Sequence, residues 1–147
     1  MTIYHIGKTF ELTHAALKRT PTLAAAILKE NLSAAAKEYR TSFPTFEKIR
    51  HAVSHSSELF RDSENIAKNA FSGDYDDGHI RIENSSNVVV SNSLMGRKYT
   101  NTIDGKIISY EISEATKAIV YQCVNTFLSG FKPAYGDPLP SVPAPRW

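Results

Sequence analysis

In the stretch Phe46-Glu-Lys-Ile-Arg-His-Ala-Val-Ser-His55, an arginine and two histidines, Arg50, His51 and His55, fall close together. Arginine is permanently cationic and presents a planar fork that suits phosphate. Histidine is the side chain that gives or takes a proton near neutral pH. One short element carrying both types has the parts to hold a phosphodiester and move a proton on it.

The element that must present them reads as a helix. Phe46, Ile49, Ala52, Val53, Ser56, Leu59 and Phe60 recur at three- and four-residue intervals and form an apolar stripe. Glu47, His51, Ser54, His55 and Glu58 fall on the other side. At 100° per residue, Arg50 and His55 stand about 140° apart on a straight helix. A kink after His55, or two copies of the helix face to face, would bring arginine to histidine. The spacing therefore hints at a dimer.

The segment Ile49-Arg50-His51-Ala52-Val53-Ser54-His55 resembles the R-x4-H motif of the HEPN superfamily of small helical proteins. In that family a polar residue follows the arginine, as His51 does here, and the middle is small and apolar, as Ala52-Val53 is. The resemblance implies an antiparallel helical bundle that dimerises so that two motifs share one cleft. It implies a metal-independent endoribonuclease without a cofactor. The ribose 2′-hydroxyl would attack phosphorus and leave a 2′,3′-cyclic phosphate and a 5′-hydroxyl. His55 would be the general acid or base, Arg50 would hold the non-bridging oxygens, and His51 would orient the pair or assist proton transfer. Ser54 and Glu58 stand behind them as supporting candidates. Some bacterial members carry a tyrosine two positions after the histidine, where this chain has Ser57. A toxin–antitoxin or defence setting, with an antitoxin or other protein as partner, is what the family suggests. The alternative is a non-catalytic HEPN-like module that binds RNA or protein, with Arg50 and His55 pairing acidic groups across an interface.

Around this helix the chain reads as one domain, 1–131, followed by a proline-rich tail, 132–147, expected to run extended. Residues 2–18 alternate weakly, break at Gly7 and then suggest a short helix containing His14, read as an ordinary histidine. Thr20-Pro21 marks a helix start, with threonine as cap and proline at the first position. Residues 22–40 are rich in Ala, Leu, Lys and Glu and read as one helix. The short connection through Phe43-Pro44 predicts that it pairs antiparallel with the motif helix. A further helical piece is expected around 66–71.

The segment Ser72-Gly-Asp-Tyr-Asp-Asp-Gly78 reads as an acidic loop, since its spacing does not match a calcium-binding hand. From His79 the period changes to two, and a small antiparallel sheet of three or four strands is expected over about 79–112. Asn84–Asn87 reads as a turn and Val88-Val89-Val90 as strand. Asp104-Gly105 reads as a two-residue hairpin turn. Arg81, Arg97, Lys98 and Lys106 lie in this sheet with Tyr99 and Tyr110, a mix of charge and aromatic rings that suits single-stranded RNA. A final helix is expected after Ser113, ending at Gly130. The expected fold is thus mainly α: a helical bundle with a β insertion before the last helix, an α+β arrangement.

Composition narrows the class. The 147 residues carry a net charge of +2, which permits RNA binding without arguing for it. The single cysteine, Cys123, excludes an intramolecular disulfide and a multi-cysteine zinc site. It lies in an apolar helical pattern and reads as core. His51 and His55 have the spacing of two metal ligands, but no third ligand follows at diagnostic spacing, so no metal is expected. There is no P-loop, G-x-G-x-x-G, G-x-S-x-G or H-E-x-x-H. The N-terminus does not read as a signal peptide and no apolar run reaches membrane-spanning length, so a cytoplasmic protein without membrane contact is expected.

Overall fold

A computed structural model describes residues 3–135. In chain order these form helices α1 (Ile3–Leu17), α2 (Pro21–Ala25), α3 (Lys29–Ser42), α4 (Phe46–Ser54), α5 (Ser56–Leu59) and α6 (Ser63–Asn69). Strands β1 (Phe71–Asp76), β2 (Arg81–Val88), β3 (Ser93–Met95), β4 (Lys98–Ile103) and β5 (Lys106–Glu111) follow. Helices α7 (Glu114–Ser129) and α8 (Lys132–Tyr135) close the described chain. The architecture is α+β. Two compact units divide it: Thr45–Ser113 is one, and the segments before and after it make the other.

The helical unit is built by α3 packing against α7 and α1. Leu32, Ala35 and Cys123 are fully buried there. Phe10 stacks on Phe127 with ring centroids 4.3 Å apart and meets Tyr39 edge-on at 5.4 Å. The Tyr39 hydroxyl donates to the Ile3 carbonyl oxygen at 2.5 Å, and burial raises its pKa. Burial also pushes the Cys123 thiol up to about 11, so this cysteine is a packing residue.

Four local expectations change in this unit. α1 runs through Gly7, which is buried and fits the packed face of the helix. Thr20 makes no side-chain cap; its hydroxyl instead donates back to the Ala16 carbonyl oxygen at 3.2 Å. The helix expected over 22–40 is broken after Ala25 and restarts at Lys29. The break is held by Leu28, whose N–H donates to the Gly130 carbonyl oxygen at 2.8 Å. At the other end, Lys132–Tyr135 is a helical turn instead of extended chain. The rest of the tail, 136–147 with Trp147, lies outside the described residues.

In the second unit, β1 and β2 form an antiparallel hairpin, while β3, β4 and β5 form a separate antiparallel sheet in that order. The single sheet expected from residue 79 is therefore two. β1 occupies the segment read as an acidic loop, because its aspartates serve the backbone. Asp74 accepts from the Asn84 N–H at 2.6 Å, and Asp76 from the Gly78 N–H at 2.9 Å. Asn84 and Asn87 take left-handed φ values of 45° and 56°, and Gly73 one of 117°. These bulged positions keep the Asn84–Asn87 stretch inside β2 where a turn was expected. Asp104 and Gly105, with φ of 52° and 69°, make the expected two-residue turn between β4 and β5.

The core of this unit explains where the motif helix sits. Ile49 and Ala52 of α4 pack with Ile103 and Ile108 of the three-stranded sheet, and Leu59, Tyr99 and Tyr110 close the margin. The apolar stripe of α4 is thus covered by β4 and β5. Residues 22–40, expected to pair antiparallel with the motif helix, belong to the other unit. Phe43, ahead of Pro44, leaves helical geometry at φ −128° and ψ 59°. The compact unit that holds both sheets runs Thr45–Ser113 and includes the motif helix.

Candidate functional site

The polar side of α4 is interrupted at His55. This residue caps α4 at φ −121° and ψ 22°, its N–H donating to the His51 carbonyl oxygen at 3.0 Å, and α5 starts at Ser56. The helical stretch read from Phe46 to Phe60 is therefore two helices, and the kink considered after His55 falls at the histidine itself. The i, i+4 spacing still brings the rings together: His51 and His55 have centroids 4.7 Å apart and planes inclined at 35°.

Glu58 completes the cluster. Its Oε2 lies 3.0 Å from His55 Nδ1. An ionised carboxylate has only lone pairs to offer, so the proton in that contact belongs to Nδ1. A neutral His55 then presents Nε2 as an acceptor, the state a general base needs. The His55 side chain is 40% exposed and that of Glu58 70%, so the cluster is open to solvent.

Arg50 is exposed on α4, one residue and thus about 100° of helix before His51. The ring pair and the carboxylate contact are made without it. Ser54 is exposed at the last turn of α4, and Ser57 is exposed on α5. The sequence named Glu58 only as a supporting candidate; the structure gives it a direct contact with His55.

One turn before His51 stands Lys48, which sequence reading did not single out. Its Nζ lies 2.7 Å from Asp104 Oδ2 at the β4–β5 turn. The hydrogen bond from Lys48 holds the Asp104 carboxyl below the usual carboxylate range against a smaller desolvation effect, helped by the charges of Lys48, Lys68 and His51. The i, i+3 spacing of Lys48 and His51 was the available signal.

The four basic residues expected to contact RNA divide. Arg81 is held between Asp76, at 3.9 Å, and Glu83. Lys98 Nζ lies 2.5 Å from Asp77 Oδ2, in a pair whose side chains are 23% and 9% exposed. The Lys98 pair is mostly buried and serves the fold, whereas Arg81, 71% exposed, sits in a surface pair. Arg97 and Lys106 are exposed and carry no ion pair among the described residues. Tyr99 and Tyr110, with ring centroids 5.6 Å apart, pack against the Ile103–Ile108 core. Both rings are thus partly buried.

No group of three or more His, Cys, Asp or Glu among the described residues has the geometry to hold a metal. The helical unit carries a groove of about 790 Å³ lined in part by Glu11, His14, Lys37 and Arg40, where Arg40 and Glu11 pair at 3.0 Å. It contains none of the residues singled out for chemistry. No helix among the described residues is long and apolar enough to cross a membrane. Comparison with protein-family models, with curated proteins and with solved structures gives no match.

Proposed function

We propose that this chain is a metal-independent endoribonuclease of the HEPN type, acting as a dimer in the cytoplasm, in a toxin–antitoxin or defence setting. The observation that carries the reading is the His51–His55 ring pair with Glu58 on Nδ1 of His55. Two adjacent imidazoles are the acid and base that transphosphorylation requires. His55 Nε2 takes the proton of the ribose 2′-hydroxyl as its oxygen attacks phosphorus. The bond from phosphorus to the 5′-oxygen breaks, and that oxygen takes a proton from His51. The products are a 2′,3′-cyclic phosphate and a 5′-hydroxyl. Arg50 steadies the non-bridging oxygens, where charge builds in the transition state. A second copy supplies the opposite wall of the cleft and a second Arg50.

The openness of the cluster favours a second reading, a non-catalytic module that binds RNA or protein through the same surface. Incubating the purified protein with single-stranded RNA in the presence of EDTA separates the two. Cleavage with cyclic-phosphate ends is expected, with His55→Ala slowing it about 10²–10⁴-fold and Arg50→Ala about 10²–10³-fold. Gel filtration is expected to show the dimer in all three proteins. Equal cleavage by wild type and both variants rules the site out, and RNA binding without cleavage leaves the module.

A further inference from the structure

Three elements converge beside the histidine pair. Lys48, His51 and His55 follow one another at i, i+3 and i+7 along the polar side of α4 and its kinked end. Lys68, exposed at the C-terminal end of α6, carries no ion pair among the described residues. It precedes Asn69, whose side-chain oxygen accepts from the Asp104 N–H at 3.2 Å. Lys106 lies two residues beyond Asp104. It pairs in register with Ile103 and so projects from the pleat face that packs on α4. Three lysines thus surround the β4–β5 turn, and one carboxylate, Asp104, sits among them.

That carboxylate is not needed to hold the turn. The backbone does so: the Asp104 N–H is bonded to Asn69, which is 3% exposed. The Asn69 amide in turn donates to the carbonyl oxygens of Leu59, at 3.3 Å, and Asn65, at 2.9 Å. The left-handed φ of 52° at Asp104 suits asparagine as well as aspartate. The Lys48–Asp104 ion pair is 50% exposed on both sides, and pairs of that kind hold weakly. A stronger or multivalent anion can displace the Asp104 carboxylate from Lys48.

We propose that Lys48, Lys68 and Lys106 form the docking track for the phosphates of a single RNA strand beside His51 and His55, and that Asp104 occupies one phosphate position in the free protein. This rests on the reading of the histidine pair as an RNA-cleaving site. The strand enters by displacing the Asp104 carboxylate from Lys48, and the next phosphate along reaches the imidazoles. Asp104 thereby weakens binding of every strand and keeps the site from filling with stray anions. The RNA grip expected over Arg81, Arg97, Lys98 and Lys106 moves to the helix side of the sheet, with Lys106 common to both sets.

The test uses the full chain with His55→Ala, so that RNA survives, and a fluorescently labelled single-stranded RNA of mixed sequence, read by anisotropy over a salt series. Adding Asp104→Asn is expected to tighten binding about three- to tenfold at 0.1 M salt, because one like charge leaves the track. Adding Lys48→Ala or Lys68→Ala is expected to weaken it about three- to tenfold and to lower the salt slope by about 0.7 for each phosphate no longer held. Thermal melts of each variant beside the parent keep the result tied to binding, and Lys48→Gln replaces Lys48→Ala if the latter melts early. Unchanged affinity and slope in Asp104→Asn and both lysine variants overturns the track, as does the absence of any RNA binding. If the shifts appear while the histidine-intact protein cleaves nothing, the track stands and the nuclease reading falls. If cleavage occurs without the shifts, the nuclease stands and the track falls.

Discussion

Lys98 is where the sequence and the structure assign one side chain opposite jobs, and Lys98→Met separates them. In the structure Asp77 is a nearly buried carboxylate with all its lone-pair sites used. Oδ1 accepts from the N–H groups of His79, at 2.9 Å, and Ile80, at 2.8 Å. Oδ2 accepts from the Tyr75 hydroxyl, at 2.9 Å, and from Lys98. Methionine keeps the length of the stem and removes the charge. Losing one partner of a buried pair outright costs about 3–5 kcal/mol, and losing one charged hydrogen bond about 1.5–3 kcal/mol. Three donors remain on Asp77 and Lys98 is partly wet, so about 2 kcal/mol is expected, or a fall of about 5–10 °C in melting temperature. The pH dependence follows from both partners. The hydrogen bond from Lys98, then those from the Ile80 and His79 N–H groups, hold the Asp77 carboxyl far below its ordinary value, against a smaller desolvation effect. The same contact raises the Lys98 ammonium. A depressed carboxylate contributes stability that is present above its unfolded pKa, about 3.9, and is lost as pH falls. A raised ammonium contributes stability that is present below about 10.4 and is lost as pH rises through its folded pKa. The penalty of Lys98→Met is therefore flat from about pH 4 to 10 and shrinks only in stronger acid, where the variant's Asp77, still held down by its three remaining donors, takes up a proton. Urea melts at pH 7 and pH 3 measure it. Equal midpoints for the two proteins at pH 7, with weaker RNA binding in the variant, would refute the structural assignment and restore Lys98 to the RNA surface.

Two further substitutions probe the packing. A Cβ at Gly130 would lie 2.0 Å from Leu32 Cδ1 and 3.0 Å from the Leu28 carbonyl oxygen. Leu32 is fully buried and has little room to swing away, so Gly130→Ala is expected to cost about 1–3 kcal/mol in a chemical denaturation series. Asn101 is fully buried, its Oδ1 has no partner, and its Nδ2 contacts are long, at 3.2 Å to Tyr99 and 3.4 Å to Asn92. Asn101→Leu removes an unsatisfied acceptor, so a change within about 1 kcal/mol is expected. Asn101→Asp places a charge in that buried site and is expected to cost at least about 3 kcal/mol, read by the same melts.

Much of the fold was legible because its signals are local. Asp104-Gly105 makes the hairpin that a two-residue turn with positive φ demands, and Cys123 is buried in the helix where its apolar neighbours put it. Periodicity named the stripe Phe46, Ile49 and Ala52 correctly, yet it cannot say what covers a stripe. A helix or a sheet buries isoleucine equally well, and here the cover is Ile103 and Ile108, some fifty residues away along the chain. The hidden strand β1 escaped because Ser, Gly and Asp are poor strand formers. Their side chains satisfy backbone donors of the opposite strand and of the turn, a tertiary fact that no propensity contains. The helix break at 26–28 had the same origin, a backbone hydrogen bond to Gly130.

The candidate site was legible in type and not in arrangement. On a straight helix the wheel sets Arg50 far from His55, and a kink after His55 or a dimer was the remedy for that distance. The structure builds the histidine cluster without Arg50 and gives His55 another partner, Glu58, across the kink. The kink matters because it makes His55 the C-cap of one helix and the N-cap of the next, where its ring meets both His51 and a carboxylate three residues on. Had α4 run on unbroken, the i, i+3 and i, i+4 neighbours of His55 would have been set by helix geometry alone. On the proposed ribonuclease reading, the histidine cluster supplies proton transfer, and phosphate binding would draw on cations outside it: Lys48 and Lys68 in the same unit, or the arginine of a second copy. Which source serves is decided by whether neutralising Asp104 or removing Arg50 moves the affinity.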